Sequence, residues 1–149
     1  MSSADSRTIY GQRRRTIRQL NDKIFVSGQI QPGDMASLVE QGVTLIVNNR
    51  PDGEDADQPL GTEIEEAASA AGLEYRSIPI IRGIGPADAQ AMREALSQSR
   101  GNVLAFCRSG TRSALAWALA KSEDGMARED IEQKLRSAGV DPTPIAHLL

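Results

Sequence analysis

The segment of residues 103–113 reads VLAFCRSGTRS and places the one cysteine of the chain, Cys107, between an apolar run and a helix-forming sequence. The four residues before the cysteine are typical of a buried strand, and the sequence from Ser113 onward is rich in Ala and Leu, as in a helix. A strand followed directly by a helix is the building unit of parallel sheets. We therefore expect Cys107 in a loop at the carboxyl end of a central strand.

Other segments repeat this alternation along the chain. Strands are predicted at 24–27, 43–47 and 73–80. Helices are predicted to begin at about Asp34, at Thr62 with Glu65 as its capping box, at Pro86 and at about Arg128. The pattern predicts a single α/β domain, with a mainly parallel central sheet of about four to five strands and helices on both faces. The loops after the strands should share one edge of that sheet.

Composition limits the possible functions. The chain has 149 residues, of which 40% are hydrophobic and 25% charged, as in one globular domain. We interpret residues 1–21 as an N-terminal arm and 22–149 as the domain. A net charge of -3 and 3% aromatic residues argue against nucleic-acid binding. One cysteine and one histidine favour neither a disulfide nor a metal site, and we expect no cofactor. No apolar stretch is long enough to span a membrane, and we expect a cytoplasmic protein.

The loop after the strand has the composition of an anion-binding cradle. Backbone N–H groups in such a turn, together with the positive end of the following helix, stabilise an anion or a thiolate. Cys107 should therefore be a nucleophile that needs no histidine base. Arg112 can bind two oxygens of an anion, and Gly110 permits a positive φ. The predicted anion-binding residues are Arg108, Ser109, Gly110, Thr111 and Arg112. The expected partner is a small anionic or phosphorylated substrate.

Three motifs together resemble a known family. IFVSGQ at 24–29, VNNRPDGE at 47–54 and CRSGTRS at 107–113 look like the bacterial phosphatase-like family that is also found fused to metallo-β-lactamase-type hydrolases. The resemblance covers residues 22–121 and implies a cysteine-phosphatase-like fold, similar to dual-specificity phosphatases. It implies that Cys107 is the nucleophile, Arg112 the anion clamp and Ser113 a hydroxyl that tunes the thiolate, with Arg50 or a nearby carboxylate lining the rim.

The sequence departs from the phosphatase pattern at three places. Four residues separate Cys107 from Arg112, where such phosphatases have five, and Phe106 replaces the usual histidine. The aspartate expected after Ile80 as a general acid is absent. Asp88 follows in the first turn of a helix, where a favourable dipole contact is the preferred interpretation. Other candidates for the rim or the general acid are Asp52, Glu54 and Asp55.

Three functions are compatible with this loop. We favour a cysteine-dependent phosphatase-like hydrolase that forms a thiophosphoryl intermediate on Cys107. The alternative is a rhodanese-type sulfurtransferase that carries a persulfide on the same sulfur, because single-domain rhodaneses have a Cys-x4-Arg loop and some family members are labelled sulfur transferases. A third hypothesis is a binding module that holds phosphate without reaction.

Overall fold

The computed structural model describes residues 17–149, which form a five-stranded sheet flanked by helices. The strands are β1 (Arg18–Gln19), β2 (Ile24–Ser27), β3 (Val43–Asn48), β4 (Glu74–Ser77) and β5 (Asn102–Phe106). The helices are α1 (Met35–Glu40), α2 (Gly61–Ala70), α3 (Pro86–Gln98), α4 (Thr111–Glu123) and α5 (Arg128–Ser137), with 3-10 turns at Pro32–Asp34 and Thr143–Leu148. None of the helices in this part of the chain is long and apolar enough to cross a lipid bilayer.

The strand order is β1-β2-β5-β3-β4. β1 pairs antiparallel with β2, and the other three pairings are parallel. The predicted α/β class, with a mainly parallel sheet of four to five strands, is therefore confirmed. Because the parallel strands point the same way, the loops that follow β2, β3, β4 and β5 meet at one edge.

Alternate side chains of the central strand β5 enter two separate hydrophobic clusters. Val103 and Ala105 pack under α3, α4 and α5, while Leu104 and Phe106 pack under α1 and α2. Both faces of the sheet are thus covered, as predicted from its continuous apolar strands. Phe106, which stands where a histidine was expected, is fully buried in the second cluster and acts as a core residue.

The structure corrects two element boundaries. The capping box predicted for Thr62 and Glu65 was wrong, because α2 begins at Gly61 and its cap is made by Glu63, whose carboxylate accepts the N–H of Leu60 at 2.9 Å. The strand predicted at 73–80 is also too long, because β4 covers only Glu74–Ser77. Beyond β4, the chain stays beside β3 through two further backbone bonds that lie outside the regular ladder, both 2.9 Å long: Ile78 N to Asn48 O, and Ile80 N to Asn49 O.

The fold includes residues that the sequence assigned to the arm. Arg18 and Gln19 pair with Val26 and Phe25, and Leu20 is buried in the core. A two-residue edge strand is too short to produce an alternating pattern, so it could not be recognised in the sequence. Residues 1–16 of the predicted arm lie outside the described residues.

Candidate active site

Cys107 lies at the bottom of the loop between β5 and α4. It is fully buried, and its N–H donates to the carbonyl of Ser27 at 3.3 Å. Its sulfur accepts the N–H of Gly110 at 3.1 Å, immediately before the first turn of α4. N–H groups at the start of a helix carry its positive partial charge, so the sulfur lies where an anion is favoured. That the loop binds an anion stays a prediction.

Gly110 permits this geometry because it has no side chain. Its φ of +97° lies in the left-handed region, as predicted. A Cβ at this position would lie 2.6 Å from the Arg18 guanidinium and 3.3 Å from the backbone of Ser27. A second close approach occurs at Gly28, where a Cβ would meet the Arg108 carbonyl oxygen at 2.9 Å. Both glycines let the loop pack directly against the end of β2.

We predict that Gly110→Ala destabilises the fold more than Gly125→Ala. The two positions have nearly the same φ, +97° and +96°, but nothing lies within 4 Å of a Cβ at Gly125. Gly125→Ala should lower the free energy of unfolding by about 1–2 kcal/mol from backbone strain alone. Gly110→Ala adds a steric clash and should lower it by about 3 kcal/mol or more. Urea unfolding measures both, and equal losses would contradict the close packing at Gly110.

Arg112 is held beside the cysteine by hydrogen bonds from its guanidinium. Nη1 donates to Glu54 Oε2 at 2.8 Å and to the Ile80 carbonyl at 2.6 Å, and Nη2 donates to Glu54 Oε1 at 2.9 Å. These bonds use three of the five N–H groups of the guanidinium. The hydrogen bond to Glu54, followed by the charge of Cys107, raises the pKa of Arg112. Arg112 is thus a permanent cation next to the sulfur.

Glu54 is the carboxylate that orients this cation. Its side chain is 24% exposed and also accepts a hydrogen bond from Arg50 Nε at 2.9 Å. The hydrogen bond from Arg112, aided by that from Arg50, lowers the pKa of Glu54 to about 2. A group with this pKa carries no proton near neutral pH, so Glu54 is unsuited to be a general acid. We assign it to positioning Arg112.

This low pKa predicts a pH dependence of stability. A carboxyl whose pKa falls from 4.5 to about 2 on folding stabilises the fold above pH 4.5 and loses that contribution as the pH falls towards 2. Glu54→Gln should therefore lower the free energy of unfolding most at neutral pH, and the gap from the unsubstituted protein should narrow between pH 4.5 and 2. Denaturant unfolding at several pH values measures this. Glu65→Gln is the control, and a gap that is constant with pH would contradict the ion pair.

The other predicted rim residues form a network around Arg50. This arginine is 5% exposed and donates to Asp55 Oδ2 at 2.7 Å and to Gln29 Oε1 at 3.0 Å, besides Glu54. Asp55 also lies 3.6 Å from the exposed Arg108. Two carboxylates thus connect three arginines at the mouth of the loop. Arg50 is thus bonded to three protein groups with its side chain only 3% exposed, which supports a role at the rim.

Two other candidate carboxylates accept N–H groups at the starts of helices. Asp52 Oδ1 accepts the N–H of Gly61 at 2.8 Å, at the start of α2. Asp88 Oδ2 accepts the N–H of Gly85 at 2.9 Å, at the start of α3. Both contacts satisfy N–H groups that a helix leaves unpaired, and they agree with the preferred interpretation of Asp88. Each carboxylate therefore already accepts a hydrogen bond at the start of a helix.

The hydroxyl groups of the loop bond to each other and to a neighbouring strand. Ser109 Oγ donates to Thr111 Oγ1 at 3.1 Å on the surface. Ser113 is fully buried, and its hydroxyl donates to Asn49 Oδ1 at 2.7 Å. The Ser113 hydroxyl is thus bonded to Asn49, and its tuning of the thiolate stays a prediction.

Asn49 is a site residue that sequence reasoning missed. It is fully buried, and its Nδ2 donates to the Ile78 carbonyl at 2.9 Å while its Oδ1 accepts from Ser113. Its own N–H donates to the Phe106 carbonyl at 2.8 Å. Asn49 thus ties the ends of β3 and β5 to the segment after β4. The sequence did contain a signal for this role, because Asn49 is a polar residue that directly follows a buried strand at the edge where the loops meet.

Comparison with known proteins identifies the family. Residues 16–124 match the family described as "Beta-lactamase hydrolase-like protein, phosphatase-like domain". The chain belongs to this family. A beta-lactamase hydrolase-like protein of Xylella fastidiosa strain Temecula1 is 38% identical over 127 residues, which cover 84% of this chain and 30% of that protein. The chain therefore spans less than a third of this relative, and the predicted resemblance is confirmed.

Two solved structures are similar to this chain over most of their own length. A candidate phosphatase of Neisseria meningitidis is 29% identical with a TM-score of 0.78, covering 89% of this chain and 94% of that one. A kinase-associated phosphatase whose catalytic-site cysteine is replaced by serine is 16% identical with a TM-score of 0.70, covering 89% and 91%. The second likeness concerns the fold alone. The predicted cysteine-phosphatase-like fold is thus confirmed.

Proposed function

We propose that this chain is a cysteine-dependent phosphatase. The observation that supports the proposal most is the placement of the Cys107 sulfur, which accepts the Gly110 N–H at 3.1 Å at the start of α4, beside the Arg112 guanidinium that Glu54 holds. In this proposal the thiolate attacks phosphorus, and the ester oxygen leaves with the bonding electron pair and takes a proton from water. Water then attacks the thiophosphoryl group, which releases phosphate and restores the thiolate.

The donors left on Arg112 suit a phosphoryl group. Glu54 and Ile80 use both N–H groups of Nη1 and one of Nη2. The Nε–H and the second Nη2–H remain on the adjoining edge of the guanidinium, where they form a two-pronged fork. Such a fork matches two oxygens of a phosphoryl group and strengthens as charge builds up in the transition state. Glu54 therefore helps catalysis by orienting the arginine without blocking its anion-binding edge.

A rhodanese-type sulfurtransferase is the second candidate, and two observations favour it. Only four residues separate Cys107 from Arg112, and three of the candidate acids, Asp52, Glu54 and Asp88, are bound to Arg112 or to helix caps. Sulfur transfer needs no general acid. The thiolate would attack the sulfane sulfur of thiosulfate, sulfite would leave with the electron pair, and cyanide would take the sulfur from the persulfide as thiocyanate, restoring the thiolate.

Parallel assays on the purified chain separate these functions. One measures phosphate release from an aryl phosphate, and the other measures thiocyanate formed from thiosulfate and cyanide, with the mass of the protein recorded after each reagent. Phosphate release without thiocyanate supports the phosphatase. A mass gain of one sulfur without phosphate release overturns it in favour of the sulfurtransferase. Binding of inorganic phosphate with neither reaction overturns both and leaves a binding module.

A further inference from the structure

Arg18 connects the cysteine loop to the residue that follows α5. It lies in the edge strand β1, and its Nη2 donates to the Ser109 carbonyl in the loop at 2.9 Å. Its Nη1 donates to the Ala138 carbonyl, just after α5, at 3.0 Å. One guanidinium therefore bridges the loop and the C-terminal end of a helix, both of which present unpaired carbonyl groups.

The bond to Ser109 fixes the orientation of the peptide that contacts the sulfur. The carbonyl of Ser109 and the N–H of Gly110 belong to one planar trans peptide, so they point in opposite directions. Arg18 holds the carbonyl on one side, and on the other side the N–H reaches Cys107 Sγ at 3.1 Å. Rotation of this peptide away from the sulfur would break both bonds. A cation on the carbonyl also polarises the peptide and makes its N–H a stronger donor.

The Arg18 side chain packs closely against the loop. Its Nε is buried and has no hydrogen-bond partner among residues 17–149. The guanidinium also occupies the space that a side chain at position 110 would fill, 2.6 Å from the place of a Cβ. Glycine at 110 and arginine at 18 are thus mutually adapted.

We propose that Arg18 is a positioning residue for the nucleophile, which stabilises the Cys107 thiolate through the Ser109–Gly110 peptide. It contacts neither the sulfur nor the substrate directly in this role. The inference rests on the proposed function only in treating Cys107 as the reacting group, and it applies equally to phosphoryl and sulfur transfer. It also gives a chemical role to a residue that lies next to the N-terminal segment, far from the loop in sequence.

The test is a titration of the thiolate, followed by its ultraviolet absorbance as the pH is raised. Cys107 is the one cysteine of the chain, so Cys107→Ser provides the blank. Arg18→Met should move the midpoint of thiolate formation upward by about one pH unit, equivalent to loss of one charge-assisted hydrogen bond. Arg18→Lys keeps the charge with a single ammonium and should give an intermediate midpoint. Gln19→Ala, in the same strand, is the matched control and should leave the midpoint unchanged.

Each outcome decides the proposal. An unchanged midpoint in Arg18→Met, even with a lower melting temperature, would overturn it and leave Arg18 as a structural link. A wild-type midpoint in Arg18→Lys would support the proposal, because an ammonium can also donate to the Ser109 carbonyl, and would show that the second bond, to Ala138, is not needed. If Arg18→Met does not fold, Arg18→Gln takes its place, because its shorter, neutral side chain removes the charge-assisted bond to the Ser109 carbonyl and should raise the midpoint in the same way. The titration uses no substrate, so failure of the phosphatase assay and failure of this inference are distinguishable.

Discussion

Cys107→Ser is expected to abolish phosphate release from an aryl phosphate, with a fall in kcat of about 10⁴-fold or more. In the proposed function, the Gly110 N–H and the start of α4 stabilise negative charge on the sulfur. A serine hydroxyl in the same place stays protonated, because the lone histidine, His147, lies in the C-terminal 3-10 turn and not in the loop. The oxygen is therefore a far weaker nucleophile than the thiolate. Steady-state release of phosphate measures the loss.

Anion binding provides the control for this substitution. The variant removes the negative charge of the thiolate but leaves Arg112 and the loop N–H groups in place. Inorganic phosphate should therefore bind as tightly as before, or more tightly, since like-charge repulsion is gone. Calorimetry of phosphate binding tests this. Loss of phosphate binding together with activity would point to a damaged loop, whereas residual turnover near the wild-type rate would exclude Cys107 as the nucleophile.

The sequence predicts those structural features that depend on residues close together in the chain. The apolar runs around Ile46 and Leu104 predict strands covered on both faces, and the sheet has both residues fully buried. The sequence also predicts that Cys107 lies in a loop directly before a helix, because strand, loop and helix follow one another within a few residues. Gly110 could be assigned a positive φ from the same local pattern. These features depend on neighbours within a few residues.

The contacts that complete the site are not local, and the sequence did not predict them. Glu54 meets Arg112 across 58 positions, Asn49 meets Ser113 across 64, and Arg18 meets the loop across 91. A carboxylate in an acidic turn can be solvated, cap a helix or bind an arginine, and only the folded chain selects one of these. This explains why Asp52 and Glu54, two residues apart, have different roles: one caps α2 and the other orients the cation.

Arg112→Lys should lower kcat/KM by about 10²–10³-fold although it conserves the charge. Arg112 uses three N–H groups to bind Glu54 and Ile80, and in the proposed function the other two bind the anion. A lysine ammonium has three donors on one atom and cannot reach the carboxylate and two phosphoryl oxygens at the same time. We expect the loss mainly in kcat, because the arginine fork is matched to the transition state. Steady-state kinetics with an aryl phosphate measures it.

Arg100→Lys is the matched control for this prediction. Its side chain is 75% exposed and lies 3.6 Å from Glu74, so a change of less than about fivefold is expected. The double variant Arg112→Lys with Glu54→Gln then tests how the pair works. If Glu54 acts by orienting Arg112, its removal should lower activity in the parent chain and have little further effect once the arginine is gone. Additive losses would mean that Glu54 acts independently of Arg112, and near-normal turnover in Arg112→Lys would contradict the clamp itself.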